Sequence, residues 1–112
     1  MVDTVYGPTR NFCENFLGRF NVSTTYYDPS IGGGIKDLIQ DNTKIIYTES
    51  PGSLTFELQD IQAISDEAHK RGCIVIIDDT WSSGVFFKPF EHGVDVSVIA
   101  LSLIHISEPT RP

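Results

Sequence analysis

An apolar run, Cys73-Ile74-Val75-Ile76-Ile77, ends in two adjacent carboxylates, Asp78 and Asp79, followed by Thr80 and Trp81. A strand apolar on both faces belongs in a parallel sheet covered by helices. In such sheets, ligands bind beyond the carboxyl ends of the strands. A carboxylate placed there can meet a cation in a partly dry site. Three chemistries suit the pair. Asp78 and Asp79 can hold a magnesium ion through oxygen ligands. One of them can pair with a protonated cofactor nitrogen. Or both can cap and orient the loop after the strand. Spacing alone leaves all three open.

Other reactive residues carry less. Gly32-Gly33-Gly34 lacks a trailing Gly-Lys-Ser/Thr and the G-x-G-x-x-G spacing after a strand, so it reads as a flexible turn into a short helix rather than a phosphate loop. His92 has no ligand partner three or four residues on, which argues against a metal. Tyr6 lies just before a helix start, where its ring can stack on a flat group or simply pack. Ser53 lies in a loop after a strand and has no local base, so nothing marks it as a nucleophile. Cys13 and Cys73 have no metal or C-x-x-C spacing and read as reduced thiols of a cytoplasmic protein.

The elements that must position these residues follow from periodicity. Phe12, Cys13, Phe16, Leu17 and Phe20 form an apolar stripe that predicts a helix over 9–20, with Thr9 as its N-cap. Residues 21–27 are rich in β-branched and aromatic side chains and predict a strand, ended by Asp28-Pro29-Ser30. A short helix comes after the glycines, carrying Ile35, Leu38 and Ile39. Further strands are predicted over 44–48, 73–78 and 94–100. The clearest helix spans 59–71, with Ile61, Ile64 and Ala68 on one face, Asp60 near its start, Lys70 and Arg71 in its last turn, and Gly72 beyond. Alternating helices and strands predict an α/β fold with a parallel or mostly parallel sheet and no internal domain boundary.

The chain has 112 residues, is 40% hydrophobic and 21% charged, and carries a net charge of −7. Its eight basic residues are scattered, which argues against nucleic acid and anionic membranes as partners. No apolar run approaches the roughly 20 residues of a membrane helix, and no signal peptide is visible. Residues 101–112 depart from this pattern. LSLIHISEPTR resembles, residue for residue, the translation of a transposon end and adapter used in sequencing libraries. The expected division is therefore a native part, 1–100, and a non-native tail, 101–112, excluded from fold reasoning.

Five stretches carry a resemblance: Asp3–Thr9, Thr43–Ser53, Ile77–Trp81, Gly84–Pro89 and His92–Ala100. In order and spacing, across residues 1–100, they resemble the Cys/Met-metabolism family of pyridoxal-phosphate enzymes, of the aspartate-aminotransferase fold type. The resemblance implies an incomplete piece of the large cofactor-binding domain, with a mostly parallel sheet flanked by helices. It implies that Asp78 pairs with the pyridine nitrogen of pyridoxal 5′-phosphate and keeps it protonated, so that the ring accepts electrons from the substrate. It places Tyr6 against the cofactor ring, Thr80 in the loop beneath it and Ser53 near its phenolic oxygen. Asp79 stands where many members have asparagine, which adds a charge near the cofactor.

Members built for γ-chemistry usually read Pro-Thr-Asn-Pro where this chain has Pro51-Gly52-Ser53-Leu54. That loop and Trp81 resemble the bacterial cystathionine β-lyase branch. The implied reaction is β-elimination, taking cystathionine to homocysteine, pyruvate and ammonia in a cytoplasmic homotetramer. The family's cofactor-linking lysine aligns with Leu103, so no catalytic residue is assigned, and Ser102 falls at the family's threonine position without a role. Met1 reads as an internal methionine. The family's upstream phosphate loop, and its C-terminal domain with the arginine for the substrate carboxylate, have no counterpart in the sequence. The expectation is a lyase by descent that is inert, and folds poorly, as this polypeptide. The alternatives are another family activity (γ-synthase, γ-lyase or sulfhydrylase), or a non-catalytic α/β module that binds a metal or other ligand.

Overall fold

Ile61, Ile64, Ser65 and Ala68 recur at helical spacing, and all four are buried on helix α1, Ile61–Lys70. Asp60 caps its start by accepting the Ala63 amide at 3.1 Å, a bond of a kind that stabilises a helix by about 1 kcal/mol. Its end turns at Gly72, φ +74°, the left-handed conformation that glycine adopts without a Cβ penalty. The computed structural model describes residues 1–100. Ser102, Leu103, His105 and the rest of the expected non-native tail lie outside the described residues.

Three strands, β1 (Ile45–Glu49), β2 (Ile74–Asp78) and β3 (Val96–Val98), form a parallel sheet in that order. The register pairs Ile46 with Val75, Thr48 with Ile77 and Glu49 with Asp78. On the far side, Asp78 pairs with Val98. Helix α1 makes the crossover between β1 and β2, as parallel pairing requires. β3 is shorter than predicted. Val94 turns into the core instead, and the Asp95 amide donates to the Val75 carbonyl at 3.0 Å.

The two faces of the sheet differ. Side chains alternate between faces along a strand. Ile46, Thr48, Val75 and Ile77 are buried, and the apolar ones share a core with Ile61, Ile64, Ala68, Ile35 and Ile39. Ile35 belongs to a 3₁₀ helix, Gly32–Asp37, which starts at the glycines instead of after them and ends before Leu38 and Ile39, a correction to the predicted short helix. Ile45, Ile74, Val96 and Val98 point the other way and are about half exposed. The prediction that β2 is buried on both faces therefore holds for one face only, because no helix of the described residues covers the other.

Two local predictions are corrected. The first helix begins at Gly7, not Thr9, and Tyr6 takes the N-cap position without a side-chain cap. Pro8, in the first turn, supplies a helical φ where an amide would be unpaired anyway, which allows the earlier start. The helical run continues as a π turn, Phe12–Phe16, and a 3₁₀ turn, Leu17–Phe20. Its apolar stripe faces no core. Phe12 stacks on Phe16, Phe16 tilts against Phe20, and all three rings are exposed. Residues 21–27 form no strand. Only Tyr27 is buried, and it bridges Val2 in parallel, with Asp3 donating to the Tyr27 carbonyl at 2.8 Å. Ser23, Thr24 and Thr25 offer no apolar face to anchor further pairing. Val2 in turn donates to the Tyr47 carbonyl at 3.0 Å, which brings the N-terminal segment against β1.

Candidate functional site at the carboxyl ends of the strands

β1 and β2 stop at the same level, with Glu49 beside Asp78. Chains in adjacent strands run about 5 Å apart, so two carboxylates start from neighbouring positions on one face. The loop after β2 turns back on Asp78. Its Oδ1 accepts the Thr80 amide at 3.0 Å and the Thr80 hydroxyl at 2.6 Å. Its Oδ2 has no hydrogen bond to the described residues. The Thr80 hydroxyl also accepts the Ala100 amide at 3.0 Å, tying the end of β2 to the chain beyond β3.

Asp79 faces inward and is 0% exposed. Its Oδ2 accepts the Gly84 amide at 2.8 Å, while Oδ1 has no hydrogen-bond partner among the described residues. Burial raises its pKa, and the Gly84 amide offsets part of that. The magnesium reading gains nothing from this arrangement. Each carboxylate caps its own loop amide, and no cluster of three potential ligand side chains occurs among the described residues. Loop capping is directly visible, and Asp78 performs it with one oxygen.

Tyr6 reaches the same edge from the N-terminal segment. Its amide donates to Glu49 Oε2 at 3.0 Å, and its carbonyl accepts the amides of Thr9 and Arg10 at 3.0 and 3.2 Å. The backbone is thus fixed on both sides, while the residue is 54% exposed. Among the described residues it pairs with no other aromatic ring. Ser53 donates its amide to the Thr4 carbonyl at 3.2 Å, two residues before Tyr6. Gly52 makes that approach possible: a Cβ there would lie 2.9 Å from Thr4 Oγ1 and 3.1 Å from Thr55 Oγ1. The same loop sends Phe56 edge-on to Trp81, ring centroids 5.2 Å apart, joining the loops after β1 and β2. Tyr6, Ser53, Asp78 and Thr80 are therefore all positioned from the carboxyl ends of β1 and β2.

Sequence reasoning gave Glu49 no role. It is 3% exposed and ends β1 as Asp78 ends β2. The signal was present: Ile45-Ile46-Tyr47-Thr48-Glu49 repeats the pattern of Ile74-Val75-Ile76-Ile77-Asp78, an apolar strand closed by an acid. Burial raises the Glu49 pKa, the Tyr6 amide opposes this, and the Asp78 charge adds to it. The neighbouring Tyr47 phenol is pushed up to about 12, first by burial and then by the charges of Asp78 and Glu49. His92, by contrast, hydrogen-bonds the Lys88 carbonyl through Nδ1 at 2.9 Å and packs on Phe87, away from these residues.

The family model of the Cys/Met metabolism PLP-dependent enzymes matches residues 1–102. The chain belongs to that family. The cystathionine β-lyase of Haemophilus influenzae is 44% identical over 102 residues, covering 89% of this chain and 26% of that protein. The cystathionine β-lyase MetC of Escherichia coli is 42% identical over 102 residues, with the same coverage. Among solved structures, the cystathionine γ-lyase of Lactobacillus plantarum, complexed with L-serine, superimposes with a TM-score of 0.79 at 33% identity, covering 85% of this chain and 26% of that one. The chain thus spans about a quarter of the length of the relatives it matches. This Cys/Met metabolism PLP-dependent chain has the α/β architecture with a parallel sheet expected of it. Among the described residues, no helix is long and apolar enough to cross a membrane.

Proposed function

We propose that residues 1–100 form the part of a carbon–sulfur β-lyase that holds the ring of pyridoxal 5′-phosphate, and that cystathionine is the substrate of the intact protein. The observation that carries this reading is the Asp78 carboxylate. One oxygen is pinned by Thr80, the other is unengaged by the described residues, and the carboxylate stands at the strand end whose neighbour, Glu49, holds Tyr6. A pyridinium nitrogen needs such an anchored acceptor, and a flat ring needs an unpaired aromatic face such as that of Tyr6.

Pyridoxal phosphate, when bound, supplies the electron sink for bonds broken at the substrate's α-carbon. The chain's own residues hold and orient the ring. Asp78 would hold the proton at the ring nitrogen. Thr80 fixes the direction of that carboxylate. Tyr6 limits the ring's tilt and shields one face from water. Ser53, in the loop after β1, would hold the ring's phenolic oxygen. Support for β-chemistry comes from Pro51-Gly52-Ser53-Leu54, from Trp81 and from the β-lyase relatives. The intact protein is read as a cytoplasmic homotetramer that takes a small sulfur amino acid, with residues 101–112 standing outside the native sequence. The test is product analysis of the full-length protein carrying residues 1–100, supplied with cystathionine. Pyruvate with homocysteine is the expected outcome. Release of 2-oxobutyrate with cysteine would reassign the reaction to γ-elimination.

A further inference from the structure

Glu49 is a buried acid that loop capping and cofactor pairing leave unused. The residue is 3% exposed and lies on the sheet edge, in register with Asp78. Among the described residues, no lysine, arginine or histidine forms an ion pair with it. The groups that face it are the Asp78 carboxylate from β2, the Tyr47 phenol from its own strand, and the backbone amides of Tyr6 and Ser53 from the segments packed on that edge. Burying an acid without a cation is costly unless hydrogen bonds are made to it. The one made by Tyr6 joins points 43 residues apart in the chain, at 3.0 Å.

We propose that Glu49 is a positioning residue: its buried carboxylate grips the Tyr6 amide and thereby sets the height and tilt of the Tyr6 ring at the strand end that carries Asp78. The proposal rests on the cofactor reading above and extends it to a residue that touches no cofactor. Two features favour positioning over simple amide satisfaction. The Tyr6 carbonyl is already committed to the helix start through Thr9 and Arg10, so the Glu49 bond is the second constraint that removes rotation of the Tyr6 backbone. And among the described residues the ring has no packing contact with another aromatic that would fix it independently. A carboxylate also makes a stronger acceptor than an amide oxygen, which justifies the use of an acid at an edge already crowded by Asp78.

The test tracks the Tyr6 amide by NMR in the ¹⁵N-labelled full-length protein carrying residues 1–100, which is the parent for every variant below. As pH rises, its proton resonance is expected to move with a single ionisation lying above the ordinary glutamate range. That movement should vanish in Glu49→Gln and persist in Asp78→Asn. A Tyr6 amide that does not respond to pH, or one that still responds in Glu49→Gln, overturns the proposal. A second arm adds pyridoxal 5′-phosphate and monitors the Tyr6 ring resonances. Glu49→Ala should need several-fold more pyridoxal phosphate than the parent for the same displacement, with Glu49→Gln in between. Equal requirements in parent and Glu49→Ala overturn the positioning role. No displacement in the parent itself overturns the cofactor reading, and the amide titration then still judges the grip of Glu49 on Tyr6. Should Glu49→Ala fail to fold, the parent, Glu49→Gln and Asp78→Asn titrations decide.

Discussion

Replacing Thr80 by valine removes two hydrogen bonds at nearly constant shape. The first runs from the hydroxyl to Asp78 Oδ1 at 2.6 Å, the second from the Ala100 amide to the hydroxyl at 3.0 Å. A bond to a charged acceptor contributes about 1.5–3 kcal/mol net, and a neutral one about 1 kcal/mol. Thr80 and Asp78 are only half buried and Ala100 is exposed, so water recovers part of both. The expected loss for Thr80→Val is therefore about 1–2 kcal/mol, below the simple sum. Thr80→Ser keeps the hydroxyl and should lose less than about 0.5 kcal/mol. Urea unfolding of the full-length protein carrying residues 1–100 measures both, as midpoint shifts at constant slope. Thr80→Val should also weaken pyridoxal phosphate binding, because the Asp78 carboxylate then keeps only the backbone amide of residue 80 as its anchor. A valine variant as stable as the parent, or a serine variant as damaged as the valine, would refute the view that this hydroxyl anchors Asp78.

Two further perturbations test the electrostatics of the strand ends. Asp79→Asn keeps an acceptor for the Gly84 amide and removes a buried charge that has one unpartnered oxygen. Burial holds the Asp79 pKa above its unfolded value, so its ionisation opposes folding, and the penalty grows as pH rises from the ordinary aspartate range through the raised one. The asparagine variant should gain about 1 kcal/mol at neutral pH and show a shallower decline of stability with pH. Thermal unfolding across pH reads both effects, and an asparagine variant less stable than the parent at pH 7 contradicts them. Asp95 has the opposite sign. The Val75 amide at 2.8 Å and His69 Nε2 at 2.8 Å lower its pKa. Its contribution is present above the ordinary aspartate range and is lost as pH falls through the depressed value. Asp95→Asn should remove that part of the acid-side decline, and an unchanged acid limb in the same measurement would count against it.

The parts of the fold most legible in the sequence are those whose burial is decided locally. Ile61, Ile64 and Ala68 could only form one stripe, and Gly72 could only end it, so α1 was readable. The run Ile74–Ile77 closed by Asp78 was equally plain. Where burial depends on a partner, the pattern misled. Phe12, Phe16 and Phe20 have helical spacing but pack on each other instead of a core. The β-branched stretch before Tyr27 has strand propensity, yet a strand needs a neighbour, and only Val2 provides one. The site shows the same division. Asp78 and Thr80 are neighbours in sequence and their hydrogen bond closes a short turn. Glu49 and Tyr6 meet across 43 residues, through the docking of the N-terminal segment on β1 by the Val2 amide, which composition and spacing do not encode.

The role proposed for the Asp78 carboxylate is to keep a proton on the nitrogen of the cofactor ring. The direct measurement is the ¹⁵N resonance of ring-labelled pyridoxal 5′-phosphate bound to the full-length protein carrying residues 1–100, compared with its Asp78→Asn variant. A protonated nitrogen in the parent at pH values where free pyridoxal phosphate has lost that proton, and a deprotonated one in the variant, is the predicted result. A parent ring nitrogen that is already deprotonated under those conditions, or one that the substitution leaves unchanged, would contradict that role.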